Sequence, residues 1–489
     1  MLFRHTLLYL PAQLIGPLFQ LISVVVWTHV TSDSTLGVIT LVTASHELLQ
    51  TVFLSWWSQY ALRFFGTFQS PEGSSRFYRT ENAVMLMSVL VQSVIAIVIL
   101  WTIIAPDAGP ALSLAVIAYV VTRSFNLYIA ERARVRHEIA VYSIQQITGP
   151  ALGFLLGLLM IHVLGEAPEW PIAGYAIAQF AAIVAVLPMI GFGRAIGPLD
   201  RVILRGALHY GIPLIVGGGL GWMSLNASRF IVSHMLGLGA AGLFAVGYGL
   251  GQRAALVAAM LVTASAFPIA VRQMEESGSA LAMRQLADNG ALLAAILFPS
   301  VTGIFILRTE IVHQLIAGPF QVATLAILPL SALAGAVRNF RAHFGDQVFL
   351  LHKRTGLSIV INGIEATVTV AASIVLISRW GAVGGVVASV IATSIAAVLS
   401  FSIGLSLFGL RPAMSHLVRI AIATAAMAAG LAWLPQTGSH LVLGLHIVLG
   451  VAIYAAALAT LYGPQIFAWC VRRRGPMAQL AHHRARPFA

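Results

Sequence analysis

Apolar residues come in long, nearly unbroken runs along this chain, and polar residues gather in the short gaps between them. Crossing the hydrocarbon core as a helix takes about 20 apolar residues, and the runs recur at that length or longer. They predict about fourteen transmembrane helices, near 7–30, 37–60, 83–105, 111–130, 140–164, 171–193, 208–233, 240–267, 288–307, 322–340, 356–378, 382–408, 417–434 and 441–463. The expected fold class is an all-α polytopic membrane protein. The first run is too long for a signal-peptide core. The HVTSDS after it offers no small-residue cleavage site, so it reads as an uncleaved span.

Composition supports the pattern. Of the 489 residues, 59% are hydrophobic and only 9% charged, against about 25% charged in a soluble protein. The single cysteine, Cys470, excludes a disulfide framework within one chain and a cysteine metal site. His482 and His483 form too short a pair for a metal. No cofactor is expected.

The net charge of +12 raises the question of nucleic acid, and its distribution answers it. With the N-terminus in the cytoplasm, 24 of the 28 basic residues fall on the cytoplasmic side, including inner helix ends. Arg4, Arg76, Arg134, Arg194, Lys353 and the VRRR run at 471–474 are among them. The outer loops hold only Arg308 and Arg379, and Arg229 and Arg253 lie within spans. That asymmetry follows the positive-inside rule for both termini inside and an even number of spans. No nucleic-acid partner is implied. The basic stretches 131–138 and 471–475 enforce topology and attract anionic lipid. Loops are short, the longest outer one lying near 308–321. A membrane glycosyltransferase or ligase would place catalytic residues in substantial loops, so the chain reads as a non-enzyme whose function sits inside the bundle.

Two segments echo each other. RSF at 123–125 and SI at 143–144 match RNF at 338–340 and SI at 358–359, both at an offset of 215. Trp170, Gly174 and Ala178 match Trp380, Gly384 and Ala388 at an offset of 210. This predicts two six-helix lobes, 1–200 and 205–408, related by a pseudo-two-fold axis along the membrane normal. Two further spans at 409–465 and a basic cytoplasmic tail at 466–489 follow. Parallel repeats of this kind are a transporter design, with substrate held between the halves. No selectivity-filter sequence of a channel is present.

The segment 208–251 resembles the seventh and eighth helices of the polysaccharide-biosynthesis flippases. These belong to the multidrug/oligosaccharidyl-lipid/polysaccharide flippase superfamily. Tyr210, Gly211 and Pro213 match a Tyr-Gly-x-Pro opening, Arg229 matches a late arginine, and Gly242 with Phe244 matches the start of the next helix. Ser228 stands where the family often has aspartate. The stretch 380–395 resembles the family's twelfth helix. The resemblance implies alternating-access translocation of an undecaprenyl-pyrophosphate-linked oligosaccharide, an O-antigen, capsule or exopolysaccharide unit. It places the chain in the bacterial inner membrane. Implied partners are the lipid-linked oligosaccharide, membrane lipids, and a polysaccharide polymerase with its co-polymerase, the chain itself being a monomer.

A diphosphate needs fixed positive charge. Arginine supplies it, because it stays protonated and presents forked donors to phosphate oxygens. Charged groups inside a span are costly and point to function. Arg253 and Arg229 are the candidate pyrophosphate-binding residues within spans; structural pairing for the first and snorkelling for the second are the competing readings. The repeat-related Arg123 and Arg338, toward the cytoplasmic ends of their helices, are expected at an inner vestibule, with snorkelling as the competing reading. Glu47 and Glu365 are the candidate ion-coupling carboxylates, with hydrogen-bonded structural roles as the competing reading. Gln252 lies ten residues after Gly242 as Glu47 lies ten after Gly37, which would place the two opposite each other. A drug or cation antiporter of the same superfamily is the rival function, and the two intramembrane arginines weigh against it. The superfamily's peptidoglycan-precursor flippase is expected to carry more arginines in its first two helices, where this chain has only Arg4 and Arg63 at the ends.

Overall fold

The computed structural model describes residues 2–68, 70–190, 198–435 and 439–483, and among them the side chains of all but 2–14, 17, 258, 261, 263–265 and 464–483. Arg4, Arg194, the 471–475 run and the tail histidines therefore lie outside the described side chains.

The described residues are helical almost throughout, with no strand among them. In order come α1 (Leu2–Val30), α2 (Asp33–Gln50), α3 (Trp56–Phe64), α4 (Pro71–Ile99), α5 (Pro110–Val135), α6 (Ile139–Leu164), α7 (Glu169–Val186) and α8 (Arg201–Leu236). They are followed by α9 (Leu238–Glu276), α10 (Ser279–Leu315), α11 (Gly318–Phe340), α12 (Gln347–Leu351), α13 (Thr355–Trp380), α14 (Ala382–Phe408), α15 (Met414–Ala432) and α16 (His440–His483). A π-helical turn, Thr51–Ser55, joins α2 to α3, so the two form one continuous rod. Twelve helices among the described residues are long and apolar enough to cross a membrane. The other two expected spans, 7–30 and 240–267, coincide with α1 and α9.

Local chemistry sets the boundaries. The Ser32 hydroxyl accepts the Thr35 N–H and starts α2. Ser70 caps α4, with Pro71 at its first position, where a missing N–H costs nothing. The Asp200 carboxylate accepts the N–H groups of Val202 and Ile203 and starts α8. Gly237, at φ 90°, lets α8 end and α9 begin with one residue between them. On α4, Leu86, Leu90 and Val94 are all more than half exposed. Such an outward apolar stripe suits lipid as solvent.

Two compact units form, Met1–Val257 with Leu315–Gly409, and Ala258–Gln314 with Leu410–Ala489. In the first, α6 and α7 pack most closely, because Gly174 sits directly on Gly157 and a Cβ would strike its backbone. This is the small-residue contact expected of membrane helices. At the ends where α2 and α9 begin, Gly242 lies on the carbonyl of Asp33 and Gly37 on that of Leu238. Trp56 and Trp57 are 7% and 0% exposed. Trp57 packs among Tyr60 and Phe77, and Trp56 fills the space left by Gly211 of α8. The second unit is held by Leu307, Met427, Leu431 and Leu443 and by a buried His446–Glu310 pair at 2.9 Å.

Candidate functional site

Within the first unit, α1, α2, α5, α6 and α7 enclose a hollow of about 360 Å³, to which α9 contributes Arg253. Its polar lining comes from a few residues on apolar helices. Glu47 projects from α2 and is open to the hollow although it sits mid-span. One residue earlier, His46 is buried at 2% exposure. Its Nε2 lies 3.1 Å from the Ser124 hydroxyl, which in turn donates to Gln92 Oε1 at 3.2 Å. Edge-on contact with Tyr119 fixes the imidazole further.

Arg123 of α5 and Arg253 of α9 both line the hollow. Neither forms a salt bridge among the described residues; Arg123 donates only to Asn126 on its own helix, at 3.3 Å. Arg229 of α8 is half-buried outside the lining, with its guanidinium 5.9 Å from the Tyr248 ring centre and its Nε without a hydrogen-bond partner. The guanidinium groups of Arg229, Arg253 and Arg123 all act electrostatically on Glu47. Three cations therefore lie within electrostatic reach of one acid, and in a low-dielectric setting such charges interact strongly.

Arg338 and Glu365 stand elsewhere. Arg338 of α11 pairs with Glu365 of α13 at 2.9 Å, and Arg341 takes the other carboxylate oxygen at 2.6 Å. Arg341 also reaches Asn362 and Asp346, and Asp346 accepts from Ser400. The Gln252 amide donates to the Ser331 carbonyl and its Oε1 meets Arg338, so it turns away from Glu47. Ser228 shares a hydrogen bond with Ser373 at 2.9 Å.

The sequence pointed to the charged residues but not to the neutral wall. Tyr175 and Gln179 of α7, Trp27 and Gln20 of α1, and Gln50 of α2 also line the hollow. Aromatic and amide side chains occur in many spans, and only the packing of α1, α2, α6 and α7 brings these together. No group of three or more His, Cys, Asp or Glu able to hold a metal occurs among the described residues.

No family model matches the chain, and no curated protein matches it in sequence. Solved structures do share its fold. The lipid II flippase MurJ, in an inward closed conformation, superposes with a TM-score of 0.70 at 14% identity, over 94% of this chain and 100% of that one. An inward-facing multidrug resistance MATE family transporter of the MOP superfamily gives 0.66 at 13% identity, over 83% and 98%. A MOP superfamily transporter from Pyrococcus furiosus, noted for the reverse polarity of its binding pocket, gives 0.57 at 13% identity, over 83% and 95%. The chain thus has the fold of the MurJ and MATE transporters and is a multi-pass membrane protein.

Proposed function

We propose that the chain is a flippase that carries an undecaprenyl-pyrophosphate-linked oligosaccharide across the bacterial inner membrane. It works by alternating access between the halves 1–200 and 205–408, with both termini in the cytoplasm. The observation that carries this reading is the surplus of guanidinium over carboxylate at the hollow, where Arg123 and Arg253 form no salt bridge among the described residues and share the single lining acid Glu47. A buried cation without a counterion is costly. A diphosphate entering the hollow supplies that counterion through charge-assisted, forked hydrogen bonds.

Glu47 then serves as the internal counterion of the empty state. Substrate competes with it for the arginines, and the displaced carboxylate takes up a proton or another cation. That exchange couples ion movement to substrate movement. Arg229, close to the same acid, joins when the halves rearrange. Arg338 and Glu365 would enter binding or coupling only in a state where their ion pair opens.

A second reading, an organic-cation antiporter, takes support from the acid Glu47 and from the fold likeness to MATE transporters. The excess of positive charge around that acid disfavours it. The experiment is binding to purified protein in nanodiscs: undecaprenyl diphosphate binds and organic cations do not under the flippase reading, and the reverse under the antiporter reading.

A further inference from the structure

The charged residues account for one side of the hollow's chemistry. The side formed by α1, α6 and α7 is neutral, and it is built with care. Tyr175 is half-buried, and its ring lies against Gly153. Its hydroxyl is within hydrogen-bonding reach of Trp27 and Ser23. Trp27 is itself fixed against Gly157 and meets Phe154 edge-on at 5.5 Å. The glycines of α6 thus hold an aromatic pair in one orientation at the wall.

Amides flank this pair. Gln179 lies against Gly149 and is oriented by the Thr122 hydroxyl at 3.2 Å. Gln20 is exposed to the hollow from α1. From α2, Gln50 brings a buried Oε1 that has no hydrogen-bond partner. A buried acceptor left unpaired costs about 1–3 kcal/mol, so this oxygen favours a ligand that brings a donor.

A rigid aromatic face beside carboxamides suits one ligand chemistry. A pyranose has an apolar C–H face that lies on an aromatic ring, and a rim of hydroxyls that both donate and accept. Carboxamides answer with both functions at once. A few placed polar groups on an apolar wall are what fix a small ligand's orientation. A diphosphate gains little from such a wall, and an organic cation finds no second acid there.

We infer that the wall formed by Tyr175, Gln20, Gln50 and Gln179 is a saccharide subsite, which receives the sugar next to the diphosphate. The inference rests on the flippase reading, which assigns the diphosphate to the arginines. Its own content is that binding depends on the sugar.

Two lipids test it on the full-length protein in nanodiscs: bare undecaprenyl diphosphate, and the same lipid carrying one hexose. Wild type binds the glycosylated lipid more tightly. Tyr175→Leu and, separately, Gln20→Ala cut that affinity about tenfold, the loss of roughly one good contact, and leave the bare lipid's Kd unchanged. Tyr175→Phe keeps the ring and retains most of the preference. Gln20 is exposed, so its variant folds whether or not Tyr175→Leu does. Equal binding of the two lipids by wild type overturns the subsite and leaves the flippase reading intact. Equal loss of both lipids in the Gln20→Ala variant overturns it as well. Binding of neither lipid by wild type overturns the flippase reading, and the subsite with it.

Discussion

Arg338 and Glu365 form a buried ion pair at 2.9 Å, and Arg341 holds the second carboxylate oxygen. At the repeat offset of 215, Arg123 corresponds to Arg338, Asn126 to Arg341 and Pro150 to Glu365. In the later segment the arginine is therefore neutralised by a salt bridge, while in the earlier one it lines the hollow and forms no salt bridge among the described residues. The two arginines that the repeat relates have become chemically different, one locked inside its helix packing and one available.

This difference predicts separable effects. A hydrogen bond to a charged group is worth about 1.5–3 kcal/mol. Arg123→Ala and Arg253→Ala should each raise the Kd for undecaprenyl diphosphate by about ten- to a hundredfold, with little change in melting temperature. Arg123→Lys keeps the charge but loses the fork and should fall between. Isothermal titration beside thermal melting checks both; a large stability loss with unchanged Kd would contradict the assignment.

Glu365→Ala should act the other way. It leaves Arg338 and Arg341 buried without their shared acid, at a cost of about 3–5 kcal/mol. Melting temperature should drop, and transport should fall in proportion to folded protein at every pH. A changed pH profile of transport at unchanged melting would instead mark Glu365 as a coupling group.

Glu47→Gln removes the one acid that lines the hollow among the described residues. Under the counterion account the variant binds the lipid diphosphate at least as tightly as wild type, because the internal competitor is gone. Its transport loses dependence on the ion gradient. Measuring both in proteoliposomes decides the matter, and unchanged turnover with an unchanged pH profile would remove Glu47 from the mechanism.

Close contact between Gly242 and Asp33 makes the shared end of α2 and α9 sensitive to bulk. Gly242→Val inserts atoms where the Asp33 carbonyl lies, and overpacking costs about 1–3 kcal/mol. If the two ends meet in each cycle, turnover slows by about five- to a hundredfold. Full turnover in this variant would show that the contact is not remade during transport.

Asp200 offers a test outside the membrane. Burial disfavours its charge, but the N–H groups of Ile203 and Val202 and the Arg76 guanidinium outweigh this and hold its carboxyl below the ordinary aspartate range. Its stabilising effect is therefore present above the ordinary pKa of about 3.9 and is lost as pH falls through the lowered value. Removing such a cap costs about 1 kcal/mol. Asp200→Ala should melt below wild type at neutral pH, and the two should converge in acid.

The spans were legible because lipid demands long apolar runs, and a charge within such a run announces itself. That is why Glu47 and Arg253 stood out in the sequence. What surrounds them did not. Gln252 and Glu47 are equally far from the glycines that open their helices, but an equal count fixes depth and not rotation, and Gln252 turns toward Ser331 and Arg338. Trp56 and Trp57 have the composition of an interfacial belt, while the glycine at 211 on a distant helix makes the room that buries Trp56. The Tyr175 wall depends on four helices meeting, and no single stretch of sequence contains it.

The most direct measurement is transbilayer movement in proteoliposomes loaded with an undecaprenyl-diphosphate-linked oligosaccharide. Wild type should expose the glycan on the opposite leaflet, and Arg123→Ala with Arg253→Ala combined should abolish this while the protein stays folded. Movement that persists at the wild-type rate in the double variant, or no movement by wild type beside active transport of an organic cation, would contradict the account.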